Sequence, residues 1–276
     1  MVRGLVMTSL VLAVAIQRGA AGEESPSEAD GVQRPLAMRV ESEIFAGGSA
    51  PVARSVTLFR DGVAWDFLEL PGTGREKGMR LAEIALHDPA RERVVVIDPE
   101  RHVKTQVEAI RLERLGVSLA KWARGSDDRL VRWAGGPDFS GGLTEADGTL
   151  ELAGPRVRYT VAFAEAPSPE AAAAYRKFAD SALLLRALVH PGGIPPFPRL
   201  SLNRRLEAAG ALPSEVRLEV GARLGPLGGL PERLTSVHRM HPGILAADAA
   251  RIEEAEAHVA AAKPVELAEF AGTPAE

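Results

Sequence analysis

Between Met38 and Val107 the chain is a succession of short runs that alternate apolar and polar residues, each closed by a compact turn signal. Strands joined this tightly must be antiparallel neighbours, because a parallel connection needs a crossover of about a dozen residues or more. From Met38 to Ile44, Met38, Val40 and Ile44 share one face and Arg39, Glu41 and Glu43 the other. That is the period of a half-buried strand. Gly47-Gly48-Ser49 turns the chain into a second strand from Ser55 to Arg60. Asp61-Gly62 then tolerates the positive φ of a type I′ hairpin. Val63 to Leu70 returns with Val63, Trp65 and Phe67 on one face. Leu81 to His87 and Arg93 to Asp98 flank Asp88-Pro89, and Asp98-Pro99 leads into His102 to Val107. In both turns proline presets φ and the aspartate side chain can accept from the turn backbone. The pattern predicts six consecutive strands, a meander.

Beyond Val107 the period changes. Ile110, Leu112, Leu115, Leu119 and Trp122 recur at near-helical spacing, predicting a helix from Ala109 to Ala123. A short helix is expected from Asp127 to Trp133, and strands from Leu150 to Leu152 and Val157 to Phe163 around Gly154-Pro155. Ser168-Pro169-Glu170 is a helix start, with serine as cap, proline at the first position and an acid in the first turn. That helix runs to about His190, burying Tyr175, Phe178, Ala182, Leu185 and Val189. A short helix from Leu200 to Ala209, a strand pair (Val216 to Val220, Leu234 to Met240) and a last helix from Asp248 to Ala262 complete the chain. The fold class is α+β, a curved, half-barrel-like antiparallel meander packed against helices.

Domain organisation follows from composition. Arg3 precedes an uncharged run from Gly4 to Ile16, and small residues surround Ala21 and Gly22. That is the layout of a secretory leader over 1–22, cleaved near Ala21/Gly22, and the expected location is extracytoplasmic, periplasmic or secreted. The acidic, Ser/Pro-containing stretch 23–36 reads as a linker. One domain is expected over 37–270 (meander 37–108, mixed remainder 109–270), with a tail over 271–276. The mature chain contains no expected membrane span. With no cysteine the domain is held by its core alone. A net charge of -4, from 33 basic and 37 acidic residues, leaves no footprint for nucleic acid.

Motifs with chemical potential are sparse. Ser118 and Lys121 form S-x-x-K, but the S-D-N and K-T-G partners are missing, so a surface helix is the reading. Gly72 to Gly78 is glycine-rich with cations but lacks the Lys-Ser/Thr pair of a phosphate loop. His238 and His241, three apart on a strand, point to opposite faces. No catalytic residue, metal ligand or cofactor is assigned. Trp65, Phe67, Trp122, Trp133 and Tyr159 are expected on buried faces.

The strands from Met38 to Val107, with Arg60-Asp61-Gly62, Leu86-His87-Asp88-Pro89 and Val96-Ile97-Asp98-Pro99, resemble the half-barrel of LolA-like periplasmic carriers. The whole chain also resembles secreted proteins of planctomycete-type bacteria. The first resemblance implies a non-catalytic binding protein with a cleft for a lipid or other apolar ligand. Val40, Leu58, Trp65, Phe67 and Val95 are the candidate lining. The alternative is an extracytoplasmic hydrolase with a polar site from His87, Asp88, Asp98 and His102. A third reading is a structural envelope module whose partner is an envelope protein.

Overall fold

A computed structural model describes residues 36–72, 78–190, 192–221 and 232–272. The expected leader, nearly all of the linker, the end of the tail and the middle of the Gly72 to Gly78 loop lie outside these residues. The predicted meander is present as β1 (Met38–Phe45), β2 (Ala53–Arg60), β3 (Val63–Pro71), β4 (Met79–Asp88), β5 (Arg93–Asp98) and β6 (Val103–Glu108). Its turns use the expected chemistry. Asp61 and Gly62 take φ of 52° and 79°, Asp88 accepts from the Arg91 amide at 3.2 Å, and Asp98 from the Arg101 amide at 2.9 Å.

A second meander follows: β7 (Leu143–Ala146), β8 (Thr149–Gly154), β9 (Val157–Glu165), β10 (Ala211–Val220) and β11 (Arg233–Pro242). β1 pairs with β11 along its whole length and with β2 from Met38 to Ile44, which fuses the two meanders. With the short β12 (Lys263–Pro264) beside β6, the result is one open, curved sheet of twelve strands in the order β12-β6-β5-β4-β3-β2-β1-β11-β10-β9-β8-β7. All pairings are antiparallel except β12 with β6.

The helices cover both faces. On one lie α1 (Ala109–Arg124), α2 (Arg129–Ala134), α3 (Pro169–Val189) and α4 (Phe197–Ala208). On the other lies α5 (Ala246–Ala261), while α6 (Leu267–Phe270) packs with the β5–β6 end of the first face. α3 begins as the sequence dictates, the Ser168 hydroxyl accepting from the Ala171 amide at 3.2 Å. Its contacts with the sheet run through Ala171, Tyr175, Phe178, Ala182, Leu185 and Val189, alternating steps of four and three that keep one stripe inward. α5 is tied down by Asp248, whose carboxylate accepts from the Leu245 amide and from Arg39 of β1.

One expectation is corrected, and three short elements were not anticipated. Trp122 is 60% exposed, along with Ile110 and Val117, because α1 touches its neighbours mainly through Leu112, Gly116 and Ala123. β7 was not anticipated, although Asp147-Gly148 repeats the hairpin signal of Asp61-Gly62 and adopts positive φ at both residues. β12 and α6 are too short to carry a period.

The candidate apolar lining divides between the two faces. Val40 packs under α3 with Phe59, Ala64 and Tyr175. Leu58, Trp65, Phe67 and Val95 pack on the opposite face, against Ile252 and Ala255 of α5. Phe67 is 1% exposed and carries the Arg251 guanidinium 4.3 Å above its ring centroid. These side chains form dry core, so Phe67→Ala is expected to cost about 3–5 kcal/mol in urea unfolding. A loss under about 1 kcal/mol would remove Phe67 from a close-packed core.

Candidate functional site

Strands β2 to β4 are covered on both faces and β1 on its α3 face, so the α3-facing positions have no bulk solvent to turn to. At both ends of α3 those positions are apolar, as expected. Met38, Val40, Phe59 and Ala64 meet its first turns, and Val94 and Val96 lie near Leu185 and Val189. Between these apolar ends runs a polar band. Register places Ser42 opposite both His238 and Ser55, and Thr57 opposite Asp66. Glu83 and His87 continue the band on β4.

Each group in the band has a defined environment. His238 is hydrogen-bonded at Nδ1 to Ser42 Oγ (2.7 Å) and at Nε2 to the Tyr175 hydroxyl (2.8 Å). A neutral imidazole donates one of these and accepts the other. Burial, helped by the charge of Arg199, keeps His238 well below the usual histidine range. Asp66 accepts from Ser55 and, at 2.8 Å, from Thr57. Burial raises its pKa, against the lowering by these hydroxyls and by Arg186. Glu83 is held by a two-pronged ion pair with Arg186 of α3, at 2.5 and 3.1 Å. His87 stacks edge-on against Phe178 at 4.8 Å, and its Nδ1 has no hydrogen-bond partner among the described residues. Burial and the Arg186 charge push its pKa down to about 3.

α4 closes the end of the site near Tyr175. Arg199 donates to Asn203 Oδ1, and Asn203 Nδ2 donates to Asp180 Oδ1 at 2.7 Å. Arg176 of α3 pairs with Glu207 of α4 at 2.8 Å, which fastens the two helices. What remains between α3 and the sheet is a cavity of about 80 Å³. Ten of its eighteen lining residues are polar: Ser42, Ser55, Thr57, Asp66, Glu83, His87, Tyr175, Arg186, Arg199 and His238.

The expected polar site does not assemble. His87 enters the cavity, but Asp88 alternates to the other side of β4, where it caps the turn and pairs with Arg91 at 2.8 Å. Asp98 and His102 sit at the opposite end of β5, about 14–17 Å along the strand at the usual rise. His102 holds a left-handed turn position, φ 52°. Ser118 and Lys121 are both exposed on α1. The Ser42–His238–Tyr175 chain has the connectivity of a nucleophile, base and orienting group. However, β1 is paired on both sides at Ser42, so its ladder offers no free backbone amides to stabilise an oxyanion.

The buried histidines give stability a pH dependence of definite sign. An unfolded histidine takes a proton below about pH 6.5, whereas folded His87 stays neutral down to about 3. His87 and His238 therefore contribute stability that is complete above pH 6.5 and lost as pH falls, each at about 1.4 kcal/mol per pH unit. Asp66 and Asp180, with raised pKa values, act in the opposite sense. Their contribution is full below the unfolded carboxyl range and lost as pH rises through their folded values. The melting temperature is expected to drop between pH 7 and 5, and His87→Leu to flatten that drop. An unchanged slope in the variant would refute the assignment.

No protein-family model matches this chain, and no curated protein matches it significantly in sequence.

Proposed function

We propose that this is an exported, non-catalytic binding protein that holds its ligand between α3 and the sheet. The observation that carries this reading is the polar band itself. A core that only had to fold would continue the apolar stripe of α3 from Val40 to Val96 without interruption. Instead it encloses two neutral histidines, an acid with a raised pKa, a Glu–Arg pair and a second arginine. Burying such groups is destabilising relative to apolar residues of similar volume. Concentrated in one cavity, with His87, His238 and Asp66 shifted from their ordinary pKa values, they have the character of a site.

The geometry favours a small polar ligand over an acyl chain. With α3 seated the space is about 80 Å³, against roughly 300–1,000 Å³ for pockets that enclose drug-sized molecules. A lipid or other apolar ligand would require α3 to withdraw, breaking the Glu83–Arg186 pair and exposing Tyr175 and Phe178. Export rests on the leader pattern of the first 22 residues.

Native mass spectrometry on protein purified without denaturation tests this reading. The expected result is a noncovalent adduct of small mass that denaturation removes. Ala182→Leu, which fills the cavity from α3, is expected to lose the adduct. A bare wild-type mass, or an adduct unaffected by Ala182→Leu, would overturn the assignment of the site. An adduct identified as lipid would reinstate the carrier form.

A further inference from the structure

Arg199 is the cation of the cavity with no carboxylate bonded to it among the described residues. It is 4% exposed, on α4, and faces the cavity beside Tyr175, His238 and Ser42. A guanidinium has five N–H donors and stays charged in a protein. Arg199 makes one hydrogen bond, to the side-chain oxygen of Asn203, and has no ion-pair partner among the described residues. Asp180 acts on it only at longer range, through their charges and through Asn203, which accepts from Arg199 and donates to Asp180. The other arginine of the cavity differs sharply, since Arg186 is forked onto Glu83. A buried cation left this way is strongly destabilising unless something else neutralises it.

We propose that Arg199 anchors the carboxylate of a monoanionic ligand in the cavity under α3. This rests on the reading of the cavity as a binding site and names the class of molecule it takes. A carboxylate matches the planar fork of a guanidinium with two parallel hydrogen bonds. Tyr175 and His238, which interact with the Arg199 charge, and Ser42, bonded to His238, line the same cavity and are hydrogen-bonding and neutral. They can complete the remaining lone pairs of a carboxylate without adding charge. A dianion such as phosphate is disfavoured, because Asp66 and Glu83 line the same space. The size also fits. A cavity of about 80 Å³ holds a few water-sized groups at roughly 10–15 Å³ each, enough for a carboxylate with a short substituent. The same headgroup chemistry could come from a free short-chain acid or from the head of a fatty acid.

Thermal unfolding of the whole protein, at constant ionic strength and pH 7, separates these cases. The probes are acetate, propionate, dodecanoate and, as the neutral isostere, acetamide. Acetate and propionate are expected to raise the melting temperature in proportion to the logarithm of concentration, and acetamide to leave it unchanged. A response growing steeply from propionate to dodecanoate assigns the head of an amphiphile; one that vanishes at dodecanoate assigns a small free acid. Arg199→Met is expected to abolish the response while the ligand-free protein melts at the same temperature or higher, because an unmatched buried charge has been removed. A purely structural arginine would instead give a lower melting temperature in Arg199→Met. Should Arg199→Met not fold, Arg199→Lys keeps the charge without the fork, and at least a tenfold weaker acetate response is expected. An equal response to acetamide, or an acetate response retained in either variant, overturns the carboxylate assignment and leaves the binding site standing. No response to any probe overturns the carboxylate assignment; if the native mass is also bare, the binding reading falls with it.

Discussion

The seating of α3 on a sheet that is also covered from behind is the constraint on which the rest of the structure depends. Strands β2 to β4 lie between α3 and α5, so neither of their faces is free to be polar at no cost. On the α5 face the sequence complies, with Leu58, Trp65, Phe67, Ile84 and Leu86 in one apolar layer. On the α3 face it complies only at the two ends of the helix. Every polar group in between must then find a partner inside the protein, because an unmet buried donor or acceptor costs about 1–3 kcal/mol. Most do: His238 bridges Ser42 and Tyr175, Asp66 is met by two hydroxyls, and Glu83 by a fork. The exception in the cavity is His87 Nδ1, and Arg199, which faces the same space, bonds only to Asn203 among the described residues.

This arrangement explains how the two meanders act together. The β1–β11 ladder brings His238 from the second meander beside Ser42 of the first. α3 and α4, inserted between β9 and β10, deliver Tyr175, Arg186 and Arg199 to the same space. Five strands and two helices therefore contribute to one cavity, and neither meander alone contains the site. The clamp between Arg176 and Glu207 fixes α4 against α3. It also fixes the position from which Arg199 projects.

Much of the fold was legible because its signals are local. Alternation in Met38 to Ile44, the Asp-Gly and Asp-Pro turns, and the Ser168 cap each determine structure within a few residues. β7 escaped although Asp147-Gly148 marked it, since the flanking Leu143 to Ala146 is nearly all exposed and lacks an apolar rhythm. The site was far less legible. Asp66 went unremarked, because alternation cannot say that both faces of a strand are covered. One signal was present: Asp66 sits amid Ala64, Trp65, Phe67 and Leu68, apolar on both faces, so an acid there has no solvent side. Another was Asn203, the only asparagine in the chain, which proves to be buried between Arg199 and Asp180. The lining proposed from the sequence chose the strongest alternating residues, and those are the ones the core takes. The convergence of His238 with Ser42 depends on a pairing almost two hundred residues apart, which no local period encodes.

The central claim is that the polar band under α3 exists for a ligand. A crystal structure of protein purified without denaturation tests it most directly, through the electron density in that cavity. The account predicts density for a molecule larger than water, in hydrogen-bond contact with Arg199 and the Tyr175–His238–Ser42 chain. A cavity holding only ordered water that satisfies His87 and Arg199 would contradict it, and would make the band a hydrated structural network.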